Sequence, residues 1–286
     1  MRYAKPKSID EALALLSEDR WRMLAGGSDF YPAQGSRPLR DNILDINGLS
    51  DLRGIHEDAT HVVFGARATW TDIIRADLPP AFASLKQAAR EVGSIQIQNT
   101  GTIAGNLCNA SPAADGVPPL LTLDAEVELR SLGGTQTIPL SDFILGNRKT
   151  ALRTGDMVTA VRVPKAAARG TSHFVKLGAR RYLVISIAMV AARVVVGQGG
   201  TIEEAAIAVG ACSAVAVRLK ALEQHLVGHP VASVREIVEA YDFAELSPID
   251  DVRGSGGYRR DAAREIVCRA LAGAAASAGI AEEVAA

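Results

Sequence analysis

The chain has 286 residues, 48% of them hydrophobic, enough for a sizeable core in two domains or one large one. Its formal net charge is −1, and its basic runs are no longer than doublets such as Arg180-Arg181 and Arg259-Arg260, which argues against a nucleic-acid-binding function. Cys108, Cys212 and Cys268 form no C-x-x-C pair, the N-terminus "MRYAKPKSIDEAL" lacks a signal-peptide core, and the longest apolar stretch, Leu183 to Ala192, is about half the ~20 residues of a membrane span, so a soluble chain of a reducing cytoplasm is expected.

"SIDEALALL" predicts a helix, with Ser8 as cap and Glu11 as its capping-box partner. "WRML" reads as a short strand running into Ala25-Gly26-Gly27-Ser28-Asp29. Pro32, Gly35 and Pro38 forbid a long helix after it. "NILDI" and "HVVFGA" read as strands, Thr69 or Thr71 caps a short helix through Ile74, and Pro79-Pro80 opens another over "AFASLKQAAREV". Gly93 to Asp115, "GSIQIQNTGTIAGNLCNASPAAD", has little helical or strand period, and long ordered loops of this kind are often functional. A short helix from Pro118 to Leu123, a hairpin of "AEVELRS" and "TQTIPL" turning at Gly133-Gly134, and the strand "DMVTAVRVP" follow.

"KAAARG", Lys165 to Gly170, is the best linker candidate. Beyond it "IAMVAARVVV" and "TIEEAAIAVGAC" read as strands around "GQGG". Helical segments follow at Arg218 to Val227, Val231 to Tyr241 and about Asp261 to Ala276. Strands followed by helices indicate an α+β fold.

The two glycine loops admit two readings. Glycine supplies positive φ for turns, or its missing side chain lets successive backbone N–H groups form a concavity for an anion, with Ser28, Thr102 and Asn106 as further donors. Neither G-x-G-x-x-G before a long helix nor G-x-x-x-x-G-K-[ST] is present, so the chain has neither a Rossmann nor a P-loop site.

"LAGGSDFYP" together with "NTGTIAGNLCNASPAAD" resembles the flavoprotein (medium) subunit of the molybdenum hydroxylases, the xanthine dehydrogenase and aerobic carbon monoxide dehydrogenase family. "KPKSIDEALALL", "MVTAVRVP", "HFVKLGARR" and "YRRDAAREIVCRAL" extend the resemblance over nearly the whole chain. It implies a two-lobed FAD-binding domain of the vanillyl-alcohol-oxidase (PCMH) type over residues 1–168, with lobes at about 1–55 and 56–168. A C-terminal flavoprotein domain over 169–286, with a three-stranded antiparallel sheet and helices, completes the expected fold. FAD is expected between the lobes, held noncovalently because neither loop carries a His or Tyr tether in a covalent-flavin context.

Carried over residue by residue, the first loop contributes Met23, Leu24, Ala25, Gly26, Gly27, Ser28, Asp29 and Phe30. The second contributes Thr102, Ile103, Ala104, Gly105 and Asn106, with Val92 and Gly93 just upstream. Asp115 is expected on the ribose or adenosine part, against the plainer reading of a helix cap before Pro118. Val158 is expected near the adenine, and Lys176 near the flavin, against that of an exposed strand lysine. Ile185, with Tyr182, is the candidate for covering the isoalloxazine ring.

No catalytic side chain and no metal site is expected; His225 and His229 read as a helix end, Cys108 lacks a charged neighbour that would lower its pKa, and Asp250-Asp251 reads as a loop pair. The resemblance implies electron transfer from a small subunit with two [2Fe–2S] clusters, beside a large molybdopterin subunit, to NAD+, oxygen or a quinone. A stand-alone flavin oxidoreductase of the same fold and a flavin-free scaffold are the alternatives.

Overall fold

The computed structural model describes residues 1–181 and 183–279. Tyr182 therefore lies outside the described residues. Ser8 caps the helix Ile9–Glu18 by accepting the Glu11 N–H at 3.2 Å, while the Glu11 carboxylate accepts from the Lys7 N–H at 2.7 Å, one residue before the expected position. Three short strands, Tyr3–Ala4, Asn42–Asp45 and Trp21–Leu24, form a parallel sheet in that order. The first glycine bend leaves the carboxyl end of Trp21–Leu24, and the helix after it, Phe30–Gln34, stops at Gly35 with φ +57°.

A second sheet is antiparallel and five-stranded, in the order Ile55–Glu57, His61–Gly65, Met157–Pro164, Glu126–Ser131 and Gly134–Pro139. Thr69 caps the helix Trp70–Arg75 in a full capping box with Asp72. The segment from Gly93 to Asp115 is more regular than its sequence indicates: it holds two short helices, Ile95–Thr100 and Ile103–Asn109. Each is under two turns or barely reaches it, too short to show a 3.6-residue period, and Thr102 starts the second by accepting the Gly105 N–H at 3.1 Å. Trp70, Phe64, Phe82 and Phe143 are fully buried in a core common to both sheets.

The third sheet is antiparallel: three long strands, Thr171–Leu177, Ala188–Val196 and Ile202–Gly210, and a two-residue edge strand, Val217–Arg218. The fourth strand takes Arg218 out of the helix expected there, which runs over Lys220–Leu226. The strand Ala188–Val196 is apolar except for the buried Arg193, and this has a physical reason. Ala188, Val190, Ala192 and Val194 face a core with Val267 and Leu271 of the helix Gly256–Ala276, and Met189 and Ala191 face Phe174 and Ala88. Both faces are covered, so the strand has no polar alternation. The long helix starts earlier than expected because Ser255 caps it, accepting the Tyr258 N–H at 3.2 Å, so that Gly256-Gly257 is its first turn.

The third sheet docks on the first half of the chain through polar contacts as well as packing. The Ser172 hydroxyl donates to the Ala81 carbonyl at 2.7 Å and accepts from the Ser84 N–H at 2.9 Å. The Gln87 side chain accepts from the Phe174 N–H at 2.7 Å.

Candidate cofactor site

The two glycine bends, about eighty residues apart in sequence, touch. A Cβ added at Gly26 would lie 1.8 Å from the Thr100 carbonyl oxygen, and one at Gly101 would lie 3.4 Å from the Ser28 hydroxyl. Gly27 supplies the positive φ, +77°, that turns the first bend. The second bend is fixed from beneath: the Ile103 N–H donates to the Ala68 carbonyl at 2.9 Å and the Trp70 N–H to the Gly101 carbonyl at 3.2 Å. Gly26 is therefore needed first for the approach of one chain segment to another, a reason the sequence alone does not show.

Beside this seam lies a cavity of about 690 Å³, a volume ordinary for a small-molecule site. Of the expected residues, Met23, Ala25 to Phe30, Val92, Gly93, Thr102, Ala104, Gly105, Asn106, Val158 and Ile185 line it. Leu24 and Ile103 do not; both side chains are buried in the hydrophobic core. Asp115 and Lys176 do not line it either. Sequence reasoning also missed Arg22, Ile46, Ala66, Trp70, Ile97, Cys108 and Leu183, most of them apolar wall residues whose spacing carries no signal.

The wall combines glycine-rich backbone with apolar surface, and its charged side chains are Arg22 and Asp29. Arg22 is engaged outside the cavity: it donates to Gln34 at 3.0 Å and to the Phe30 carbonyl at 3.3 Å, both in the helix after the first bend, its guanidinium lies 4.1 Å from the Phe30 ring centre, and it pairs with Asp41 at 3.6 Å. The Thr102 hydroxyl already accepts the Gly105 N–H but keeps its own proton to donate. Asn106 contributes a buried side-chain oxygen without a hydrogen-bond partner among the described residues, an acceptor left for a donor on a bound molecule. Burial pushes the Cys108 thiol up, which keeps it protonated at neutral pH. At the mouth, Leu183 and Ile185 leave 54% and 53% of their surface exposed.

Asp115 and Lys176 belong to a buried cluster behind this wall. The Lys176 ammonium donates to Asp115 at 2.7 Å and to the Glu91 carbonyl at 3.4 Å, and the Ser186 hydroxyl donates to the other Asp115 oxygen at 2.8 Å. Burial pushes the Asp115 carboxyl up, while the Lys176 and Ser186 donors pull it down. Asp115 caps no helix: the position before the helix Val117–Thr122 is Gly116. Nor is Lys176 an exposed strand lysine, since 7% of its side chain is accessible. Its contacts adjoin cavity residues in sequence: Glu91 precedes Val92, and Ser186 follows Ile185. Among the described residues no three or more His, Cys, Asp and Glu side chains are grouped as metal ligands would be, and no helix is long and apolar enough to cross a membrane.

Residues 1–166 match the model of the FAD binding domain in molybdopterin dehydrogenase, and residues 173–274 that of the CO dehydrogenase flavoprotein C-terminal domain. The chain belongs to this family, the FAD-binding medium subunits of the molybdenum hydroxylases. It is 31% identical to the glyceraldehyde dehydrogenase medium chain of Sulfolobus acidocaldarius, covering 94% of this chain and 96% of the relative. With the nicotinate dehydrogenase FAD-subunit of Eubacterium barkeri it shares 34% identity over 85% and 87% of the two chains. Its fold matches a chain of the reconstituted CO dehydrogenase from Oligotropha carboxidovorans with a TM-score of 0.87 at 28% identity, covering 96% of this chain and 98% of that one.

Proposed function

We propose that this chain is the electron-transfer subunit of a molybdenum hydroxylase complex, holding FAD noncovalently in the 690 Å³ cavity. The observation that carries the reading is the contact of the two glycine bends, Gly26 against Thr100, on the wall of that cavity. In this reading the FAD diphosphate meets the backbone amides of Gly26 to Ser28 and of Thr102 to Asn106, a cradle that needs no basic side chain. Val92, Val158 and Ile185 give apolar surface for the rings, and the Asn106 oxygen accepts from a cofactor hydroxyl. The Asp115–Lys176 pair acts from behind the wall, fixing the segments that carry Val92 and Ile185.

Bound FAD supplies an acceptor able to take electrons singly and release them as a pair. The chain's own task is to position that group, exclude water from it and leave an edge open to partners. The exposed Leu183 and Ile185 at the cavity mouth fit such an edge. The donor in this reading is a small subunit with [2Fe–2S] clusters, and a large molybdopterin subunit oxidises the substrate, so the isolated chain is inactive on it. The external acceptor is NAD+, oxygen or a quinone, and the complex is cytoplasmic. The FAD-binding domain, of PCMH type, spans residues 1–168 and the C-terminal flavoprotein domain 169–286, divided near the turn at Lys165–Ala167.

The test is reconstitution of the purified full chain with FAD, followed by gel filtration. Stoichiometric FAD, released intact by denaturation, reducible by dithionite and not by an organic substrate alone, is expected. A colourless chain would favour a flavin-free scaffold, and reduction by substrate without partners would favour a stand-alone oxidoreductase.

A further inference from the structure

A second, smaller cavity of about 190 Å³ adjoins the same seam, and its wall includes Asn47, Arg53, Arg67, Asn99 and Thr100. No carboxylate lines it. Arg67 is 5% exposed, yet its hydrogen bonds go only to neutral oxygens, the Leu49 carbonyl at 2.7 Å and the Asn47 side chain at 3.1 Å. Its Nε is buried without a hydrogen-bond partner among the described residues. Arg53, exposed at the same cavity, makes no side-chain hydrogen bond or ion pair with any described residue. Asn99 accepts the Thr71 hydroxyl at 2.6 Å, which leaves its amide N–H groups uncommitted.

Two guanidiniums thus share one small space without an acid. Burial, and after it the charge of Arg53, pulls the Arg67 pKa down. Asp45 acts in the opposite sense, but its carboxylate is occupied elsewhere, by the Tyr3 hydroxyl at 2.6 Å, the Asn47 N–H at 2.9 Å and Lys5 at 3.7 Å. A buried, unpaired guanidinium facing a like charge is unfavourable unless an anion neutralises it. The guanidinium fork matches a tetrahedral oxyanion, and at ~30 Å³ per water the space holds one such ion with a few waters.

We propose that this pocket is a separate oxyanion site, which takes a free ion of the phosphate class between Arg53, Arg67 and Asn99. It does not depend on the FAD reading. The bound ion would brace the Gly26–Thr100 seam from outside the larger cavity, because Ala25, Gly26, Thr100 and Thr102 also line the pocket.

The probe is inorganic phosphate, titrated by calorimetry into the FAD-loaded full chain at constant ionic strength set with chloride. Saturable binding of one phosphate per chain is expected, together with a rise in Tm that chloride does not give. Arg53→Gln, an exposed change that removes no internal bond, should weaken phosphate binding about tenfold or more while leaving FAD content unchanged. Arg67→Met should abolish it; if that chain does not fold, Arg53→Gln carries the test. The proposal is overturned if phosphate binds no better than chloride, or if Arg53→Gln binds it as the natural chain does. It is equally overturned if phosphate and FAD displace each other, which would make the pocket the end of the cofactor cleft. A chain that binds no FAD but still binds phosphate would sink the proposed function and leave this site standing.

Discussion

The glycine seam and the Asp115–Lys176–Ser186 cluster flank one cavity and are built on opposite principles. The seam is made by removing side chains, so that backbone meets backbone at Gly26 and Thr100. The cluster is made by long side chains from separate elements, with charge paired inside the protein at 2.7 Å. The difference concerns what each can tolerate. A seam fails when an atom is added, and an ion pair fails when one partner is taken away.

The largest expected effect lies in the cluster. Lys176→Met leaves a buried carboxylate without its cation and should cost about 3–5 kcal/mol in urea unfolding, with Lys176→Met/Asp115→Leu recovering much of the loss. An equal loss in the double variant would show that the pair's packing, not its charge, matters. Next comes the seam. Gly26→Ala puts a methyl 1.8 Å from a carbonyl oxygen that belongs to backbone, so it should cost about 1–3 kcal/mol and release FAD. Gly105→Ala should do less, because its added methyl meets only the Thr102 hydroxyl, at 2.7 Å, and threatens a single cap of ~1 kcal/mol. Parallel measurement of Tm and bound flavin ranks the two; a Gly105→Ala loss as large as that of Gly26→Ala would refute the seam as the tighter constraint.

The smallest effect lies away from both, where a surface carboxylate is held by backbone. The Arg253 N–H, at 2.8 Å, holds the Asp251 carboxyl down to about 2, and Arg259, at 2.6 Å, adds to it. Because the folded value lies below the ordinary 3.8, this contribution is present above that pH and lost as pH falls through it towards about 2. The Tm gap between the natural chain and Asp251→Asn should therefore close in acid. A gap that stays constant from neutral pH to below 2 would show that Asp251 acts by shape alone.

Much of the site was legible because backbone-exposing residues cluster in sequence. Gly26, Gly27, Gly101 and Gly105 mark both bends, and Thr69 and Ser8 mark helix starts through local hydrogen bonds. The short helices Ile95–Thr100 and Ile103–Asn109 were not legible, since fewer than about two turns give no period to read. Trp70 and Ile46 gave no sign that they face the cavity, because an apolar wall residue and a core residue have the same composition. The start of the helix Gly256–Ala276 was hidden by two glycines that argue locally against a helix, a preference that the Ser255 cap and packing overcome.

Most strands and helices, the two glycine-rich bends and the family motifs follow from the sequence itself, because each depends on neighbours a few residues apart. Only the tertiary structure brings Gly26 to Thr100, Lys176 to Asp115 and Arg53 to Arg67. Those pairings are long-range, and what each residue does is set by the atoms that folding places against it.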